Sequence, residues 1–395
     1  MPPTLAAVTA WLDTAPNLER TGDFRRARLD RFRALLRHLP PAPRPCTIAG
    51  TKGKGSTTRL IESALVAAGL PTLAFSSPHV VSLAERWRLD GREADAGTLA
   101  AAATEVAAIE RRTGIPLTWF ERTTAMAVLL APGRAFVLEV GLGGRLDCAN
   151  AFDAAVLALT HLSHDHRDVL GPTLLHIARE KLALCRPDAP VVIAPQSLAG
   201  AIAAARALPR GADAVWVQPP ERPWTLALAG AHQQDNAATA RAVLARWRPD
   251  VDATAIRCGF AQATLPARCQ LIERAGRRLL IDGAHNGPSL AATLAVARER
   301  LRPPWRLVLG TARDKEIGEM LAALRAGAAP AAVVRCGFAS PRARGEADWP
   351  AEARSWPWHA QVAAALAGDD DVCVTGSLYL AGETLAWTAN HPCGR

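Results

Sequence analysis

Thr47-Ile48-Ala49-Gly50-Thr51-Lys52-Gly53-Lys54-Gly55-Ser56-Thr57 carries the chain from a short apolar strand through a glycine-rich turn into a helix. Glycines at 50, 53 and 55 let the backbone turn tightly with its N–H groups inward, and a helix start adds a positive dipole end, so the stretch reads as a phosphate cradle. Lys54 supplies a point charge for phosphate oxygens. The stretch departs from the pattern G-x-x-x-x-G-K-[ST] because Gly55 stands between the lysine and the hydroxyl residue. An apolar stripe at Leu60, Ile61, Ala64, Leu65 and Ala68 marks the helix that follows.

Further apolar runs at residues 71–75, 135–140, 154–159 and 190–194 alternate with helical patterns at 96–112, 123–130 and 199–208 and with an alanine-rich helix that residues 229–236 open and that runs to Trp247. That alternation predicts a doubly wound parallel α/β sheet. Polar clusters follow several of the strands, which is where open parallel sheets place ligands. Ser76-Ser77-Pro78-His79 follows the second strand, and Glu139 with Gly141 to Asp147 ends the third. A carboxylate at such a strand end suits Mg²⁺, which takes one or two carboxylates together with water and phosphate oxygens. His161, His164 and His166 are spaced like metal ligands or like an ordinary polar loop. Thr118-Trp119-Phe120-Glu121 reads equally as an aromatic and acidic pocket or as a helix cap. Residues 5–38 form a leading helical segment. A hinge is placed at 261–266, and strands near 279–282, 306–310, 331–334 and 371–375 indicate a second, smaller α/β domain without a phosphate loop.

The chain has 395 residues, 49% of them hydrophobic and 21% charged, with a mean hydropathy of +0.05, as in a globular protein of two domains. The start lacks a basic and apolar leader, so a cytoplasmic protein is expected. Eight cysteines contain no C-x-x-C pair, and reduced thiols are expected. A net charge of +9 is compatible with nucleic acid, membrane surface or small polyanions. No basic run with interleaved aromatics is present, which favours acidic small molecules over nucleic acid. The 46 basic residues include lysine only at 52, 54, 181 and 315. A surviving lysine in so arginine-rich a chain suggests a place for a compact, deprotonatable ammonium.

Together these motifs resemble the folylpolyglutamate synthase / dihydrofolate synthase family of the Mur ligase superfamily. The resemblance runs through Gly50 to Ser56, Ser76 to His79 with Glu85-Arg86, Leu138 to Asp147, Asp165-His166, Ala178 to Lys181, Gly230 with His232-Gln233 and Asn236-Ala237, Asp282 to Asn286, Asp314-Lys315 and Thr375 to Tyr379. It implies a phosphate-loop ATPase domain over residues 1–264 and a smaller Rossmann-like domain over 265–395. The implied reaction activates a carboxylate with ATP as an acyl phosphate and joins it to L-glutamate. The acceptor would be dihydropteroate, a tetrahydrofolate polyglutamate, or both.

The same resemblance implies that Gly53, Lys54, Gly55, Ser56 and Thr57 hold ATP, with Asn236 on adenine, Arg268 on the phosphates, Asp282 on the ribose and His285 nearby. Ser77 and Glu139 would hold a first Mg²⁺ and His166 a second, with Lys181 as a carbamate. Lys54, Lys181, His166 and Glu139 would form the catalytic group, and Phe120, Glu121, Asp147 and Asn150 would line the pterin site. A monomer without nucleic-acid or membrane partners is expected. Lys52 stands where the family usually has asparagine, Leu182-Ala183 replaces alanine-glycine, and Ala267 and Gln270 replace a glycine and a glutamate. Two alternatives remain: a Mur-type ligase with another acceptor, and an idle nucleotide-binding regulator. The first is disfavoured by the missing N-terminal UDP-binding domain, the second by the intact Ser77, Glu139, His166 and Lys181.

Overall fold

The computed structural model describes residues 1–18, 29–326 and 330–391. The chain forms two compact units, one of residues 1–227 and 232–263, the other of 228–231 and 264–395. Of the leading helical segment, Leu5–Leu12 and Leu29–Leu36 are helices, and residues 19–28 lie outside the described residues.

The first unit is built on a sheet ordered β4-β3-β2-β5-β1-β6-β7-β8 among the described residues. Its strands are β1 (Cys46–Ala49), β2 (Thr72–Phe75), β3 (Trp87–Leu89), β4 (Arg92–Glu93), β5 (Ala135–Glu139), β6 (Val156–Leu159), β7 (Val191–Ile193) and β8 (Ala214–Trp216). From β2 through β8 the neighbours are parallel, and β3 and β4 extend one edge antiparallel. β1, β2 and β6 are buried at every residue, which is why they read as unbroken apolar runs rather than alternating ones. The chain leaves β1 towards β2 on one side, then crosses from β5 past β1 to β6 on the other. From β6 it goes on outward to β7, so the connections after the neighbouring strands β1 and β6 run to opposite sides and leave a crevice at their carboxyl ends.

The helix after β1 starts at Lys54, two residues before the start near Ser56 that the sequence indicates, and runs to Ala67. Residues Ser56 to Glu62 on it are all buried. That burial encloses an ion triad: Arg59 Nη1 lies 2.6 Å from Glu62 Oε2, and Arg88 Nε lies 3.1 Å from Glu62 Oε1. Desolvation holds the Arg59 guanidinium below its ordinary range despite Glu62. The helix Trp119–Leu130 begins four residues before the apolar run, at a capping box made by Thr118 and Glu121.

The second unit carries a sheet ordered β13-β12-β11-β14-β10-β9 among the described residues. It comprises β9 (Gln270–Arg274), β10 (Arg277–Ile281), β11 (Trp305–Leu309), β12 (Ala332–Cys336), β13 (Trp358–His359) and β14 (Asp371–Thr375). Only β9 is antiparallel to its neighbour. Its core gathers Leu280, Leu290, Leu294, Leu307, Leu309 and Met320. Cys46, Cys148, Cys269, Cys336 and Cys373 are buried free thiols. No described helix is long and apolar enough to cross a membrane.

Candidate active site

The phosphate loop opens from the end of β1. Gly53 is the N-cap of the helix Lys54–Ala67, with φ +90°, a conformation that side chains bearing Cβ rarely adopt. A Cβ there would also fall 2.3 Å from Asn236 Oδ1. Asn236 is itself fixed by donating from Nδ2 to Gln233 Oε1 at 2.8 Å, so the adenine candidate packs directly against the loop. Lys54 Nζ donates to Gly50 O at 3.2 Å across the turn. Ser56 and Thr57 are buried in the first helical turn, and Thr57 Oγ1 has no hydrogen-bond partner among the described residues.

The loop is fastened to the segment after β6. Thr51 N and Lys52 N both donate to His161 O, at 3.0 and 3.1 Å, and Thr51 Oγ1 donates to Ser163 O at 3.2 Å. Lys52 Nζ stands 4.0 Å from Asp165 Oδ2, so the ammonium that replaces the family's asparagine faces a carboxylate. His166 is the N-cap of the short helix Arg167–Leu170, with φ +48°, and its Nε2 lies 3.8 Å from Asp165 Oδ1. Asp165 thus links Lys52 with His166. Asp165 has no role assigned from the sequence, and its place between His164 and His166 is the signal that could have found it.

Glu139 ends β5 with its side chain buried, and Ser77 N donates to its Oε2 at 3.4 Å. Ser77 and Glu139 are therefore brought together. Among the described residues, no group of three or more His, Cys, Asp and Glu side chains is arranged to hold a metal ion. The Ser77 hydroxyl and Glu139 carboxylate are hard oxygen donors of the kind that Mg²⁺ takes together with water and phosphate. Glu85 organises the turn after Ser77, accepting from Val80 N, Val81 N and Ser82 N at 2.8, 2.7 and 2.7 Å.

Lys181 lies on the helix Leu174–Leu182 and is 4% exposed. The glycine loop after β5 presses against this helix. A Cβ on Gly144 would sit 2.5 Å from Glu180 O and 3.1 Å from Lys181 Cα, so only glycine permits the approach. Arg145 completes the contact, with its N donating to Glu180 O and its Nε to Glu180 Oε1, both at 2.9 Å. Burial, reinforced by the nearby Lys54 charge, brings the Lys181 ammonium down to about 7, against the opposite pull of Asp165, Asp147 and Glu180. A lysine in that range has a neutral amine available near neutral pH.

The pterin candidates are each tied into the surrounding backbone or packing. Glu121 Oε2 accepts from Thr118 N at 2.6 Å and from Arg31 Nη2 at 2.7 Å, so the helix-cap reading is realised. Asp147 accepts from Gly141 N, Leu142 N and Ala149 N at 3.1, 3.1 and 2.9 Å, holding the glycine loop in place. Asn150 donates to Arg145 O at 2.8 Å and accepts from Arg186 Nη2 at 2.9 Å. The Phe120 ring stands over Gly141, where a Cβ would meet its Cζ at 2.7 Å.

In the second unit, Arg268 sits between Ala267 and Cys269, both left-handed at φ +54° and +47°. Their backbones are locked: Gly283 N donates to Ala267 O at 2.9 Å, and Cys269 N donates to Asp282 Oδ2 at 2.8 Å. Asp282 also accepts from Ala284 N at 2.8 Å and Thr293 Oγ1 at 2.7 Å on Oδ1. The Asp282 carboxylate thus accepts three hydrogen bonds within its own unit. His285 Nδ1 lies 3.0 Å from Gly283 O. Ala267 occupies the position where the family's glycine would be unstrained. Ala267→Gly is therefore expected to change stability by no more than ~1 kcal/mol, relief of left-handed strain offsetting unfolded-state entropy. Ala267→Val should cost more than that, and urea unfolding of both variants checks the pair.

Residues 267–378 match the family described as Mur ligase, glutamate ligase domain. The dihydrofolate synthase/folylpolyglutamate synthase of Escherichia coli K12 is 36% identical over 346 residues, covering 82% of this chain and 81% of that one. The chain belongs to the dihydrofolate synthase/folylpolyglutamate synthase family. As a member of that family it is a ligase with the Mur ligase fold. The structure of E. coli FolC in complex with DHPP and ADP superposes on this family member with a TM-score of 0.82 at 30% identity, covering 98% of each chain. The Yersinia pestis bifunctional enzyme complexed with AMPPNP and Mn ion gives 0.80 at 29% identity, again over 98% of each chain.

Proposed function

We propose that this enzyme uses ATP to activate the carboxylate of a folate-type acceptor and transfers it to the amine of L-glutamate. The observation that carries the reading is the meeting of a helix-start phosphate loop, the ammonium of Lys54 and the buried, low-lying Lys181 in one crevice of the first unit. The family relatives' names and their complexes with ADP or AMPPNP support the same chemistry. An acceptor carboxylate oxygen attacks the γ-phosphorus of ATP, ADP leaves, and an acyl phosphate forms. The glutamate amine then attacks the acyl carbon and phosphate departs. Lys54 and the helix-start N–H groups oppose the charge on the transferring phosphoryl group. Asp147 and Gly144 hold the glycine loop over Lys181. Ser77 and Glu139 would hold a divalent cation that offsets repulsion between the phosphates and the acceptor carboxylate, with His166 serving a second cation.

A different acceptor or a catalytically idle regulator fits less well, since the sequence similarity to the folate enzymes spans both units. Arg268 makes no hydrogen bond or ion pair among the described residues, while its neighbours are locked; this favours a ligand role over a structural one. Arg268→Ala is expected to lower turnover about tenfold or more and to leave the melting temperature unchanged. Lost stability with normal turnover would reverse that assignment. The reading as a whole is tested by phosphate release from ATP and L-glutamate, with dihydropteroate and tetrahydrofolate offered separately. Release with neither acceptor would refute it, and release with one or both tells a monofunctional from a bifunctional enzyme.

A further inference from the structure

A cavity of about 370 Å³ opens in the first unit at the opposite end of the sheet from the phosphate loop. Its walls include Arg44, Leu70 and Arg134, which immediately or nearly precede β1, β2 and β5. These three strands are neighbours in the sheet. At about 3.3 Å per residue, strands of this length place the cavity roughly 15 Å from the catalytic crevice. Arg248 and Trp247 complete the lining that matters, and no carboxylate lines the cavity among the described residues.

Each of the three arginines has a counter-ion, but on the solvent side. Arg44 pairs with Asp188 at 2.8 Å, Arg134 with Asp90 at 2.7 Å, and Arg248 with Asp250 at 2.5 Å. The aspartate side chains are 65, 53 and 57% exposed, against 47, 28 and 26% for the arginines. Such screened pairs hold their partners weakly. Donors also remain unused. Arg134 reaches Asp90 and Thr72 O through Nη1 alone, leaving Nε and Nη2, one whole edge of the guanidinium, without a hydrogen bond among the described residues. That edge is the fork that grips a carboxylate or phosphate through two parallel bonds. Arg44 keeps Nη1, and Arg248, which grips Asp250 through Nε and Nη2, keeps Nη1 as well.

We propose that this cavity is a second binding site, for a small planar ring bearing a carboxylate or phosphate. Arg134 and its two arginine neighbours would take the anionic group, and the half-buried Trp247 the ring. The volume suits a single ring system with its acid group. The charge of +9 on the chain is thus not all directed at the catalytic crevice.

The test is a ligand-observed NMR titration of the full chain, with ADP and Mg²⁺ in excess to fill the phosphate loop. The probes are 4-aminobenzoate, phenyl phosphate and inorganic phosphate. Both ringed probes should bind the wild type, and the tighter of the two identifies the acid group. Arg134→Gln should weaken both about tenfold or more, as loss of a charge-assisted fork does. Trp247→Leu should weaken the ringed probes and leave inorganic phosphate unchanged. Arg248→Gln carries the test if Arg134→Gln proves unstable. Glutamate ligation without probe should stay at the wild-type rate in all three variants. Unchanged probe affinity in the variants, or no binding to the wild type, would overturn the site. Because the readout is binding and not turnover, that failure would leave the ligase reading untouched.

Discussion

Lys54→Ala is expected to lower ATP-dependent ligation by two or more orders of magnitude while the protein stays folded. The ammonium stands at the first residue of the helix Lys54–Ala67, bonded across the glycine turn to Gly50 O. In the proposed reaction it would meet the charge building on the transferring phosphoryl group, and loss of one such donor typically costs roughly two to three orders of magnitude. The structure adds a second contribution. Lys54 is the leading charge that depresses Lys181, after burial itself. Removing it relaxes part of that depression while burial keeps the larger part, so the variant loses a phosphate donor and also shifts the proton affinity of its neighbour upward. Alanine is a good first-turn helix residue, and the lost hydrogen bond lies in a partly exposed loop, so the melting temperature should move little. Initial rates of ADP formation and a thermal melt on the same preparation check both halves. Near-normal ligation by a folded variant would remove Lys54 from the chemistry.

The parts of the fold that were legible are those in which local sequence and burial agree. β1, β2 and β6 are buried on both faces and appear as unbroken apolar runs. Trp87–Leu89 and Arg92–Glu93 could not be read, because two or three polar-rich residues form a strand only when a neighbour offers its edge. β9 shows intermediate and exposed positions in alternation and carries charge at Glu273 and Arg274, so its pairing with β10 is likewise imposed by tertiary context.

The site divides along the same line. The phosphate loop and the strand-end placement of Glu139 follow from a few consecutive residues. The helix cap at Thr118 and Glu121 was present as a four-residue signature, but the partner that completes it, Arg31, lies 90 residues earlier. The residues that hydrogen-bond Asp282, Cys269 and Thr293, are 13 and 11 positions away, so its surroundings are not legible from its own stretch. A carboxylate's vacancy is a property of the folded surroundings. The Asp165 link between Lys52 and His166 needed the loop after β6 to be laid beside the phosphate loop, which only the strand order accomplishes.

Lys181→Arg is expected to abolish most activity, although it keeps a positive charge and nearly the same length. In a chain with four lysines among 46 basic residues, this one is buried under the Gly144 turn with its ammonium brought down to about 7. A neutral amine at that position can add carbon dioxide to form a carbamate and release a proton, turning a cation into an anion beside Lys54. Arginine stays protonated and cannot follow. The simpler alternative, pairing with Glu180, is weakened by Arg145, whose Nε already holds Glu180 Oε1 at 2.9 Å. The sign of the pH dependence follows from the direction of the shift. The unfolded lysine keeps its proton to about 10.5, whereas the folded one releases it near 7. Between these values the unfolded state binds more protons, so burial of Lys181 costs most below 7 and the cost fades as pH rises towards 10.5. Lys181→Met should therefore be more stable than the unmodified wild type by a few kcal/mol at pH 6, with the difference vanishing near pH 10. Activity of the wild type should rise with pH through about 7, as the neutral amine becomes available. Carbon-13 NMR with labelled bicarbonate should show a carbamate signal that is lost in Lys181→Arg and Lys181→Ala, and acetate should partly restore Lys181→Ala by filling the anionic position. Full activity of Lys181→Arg in carbon-dioxide-depleted buffer would eliminate the carbamate and leave Lys181 as a packed, uncharged side chain.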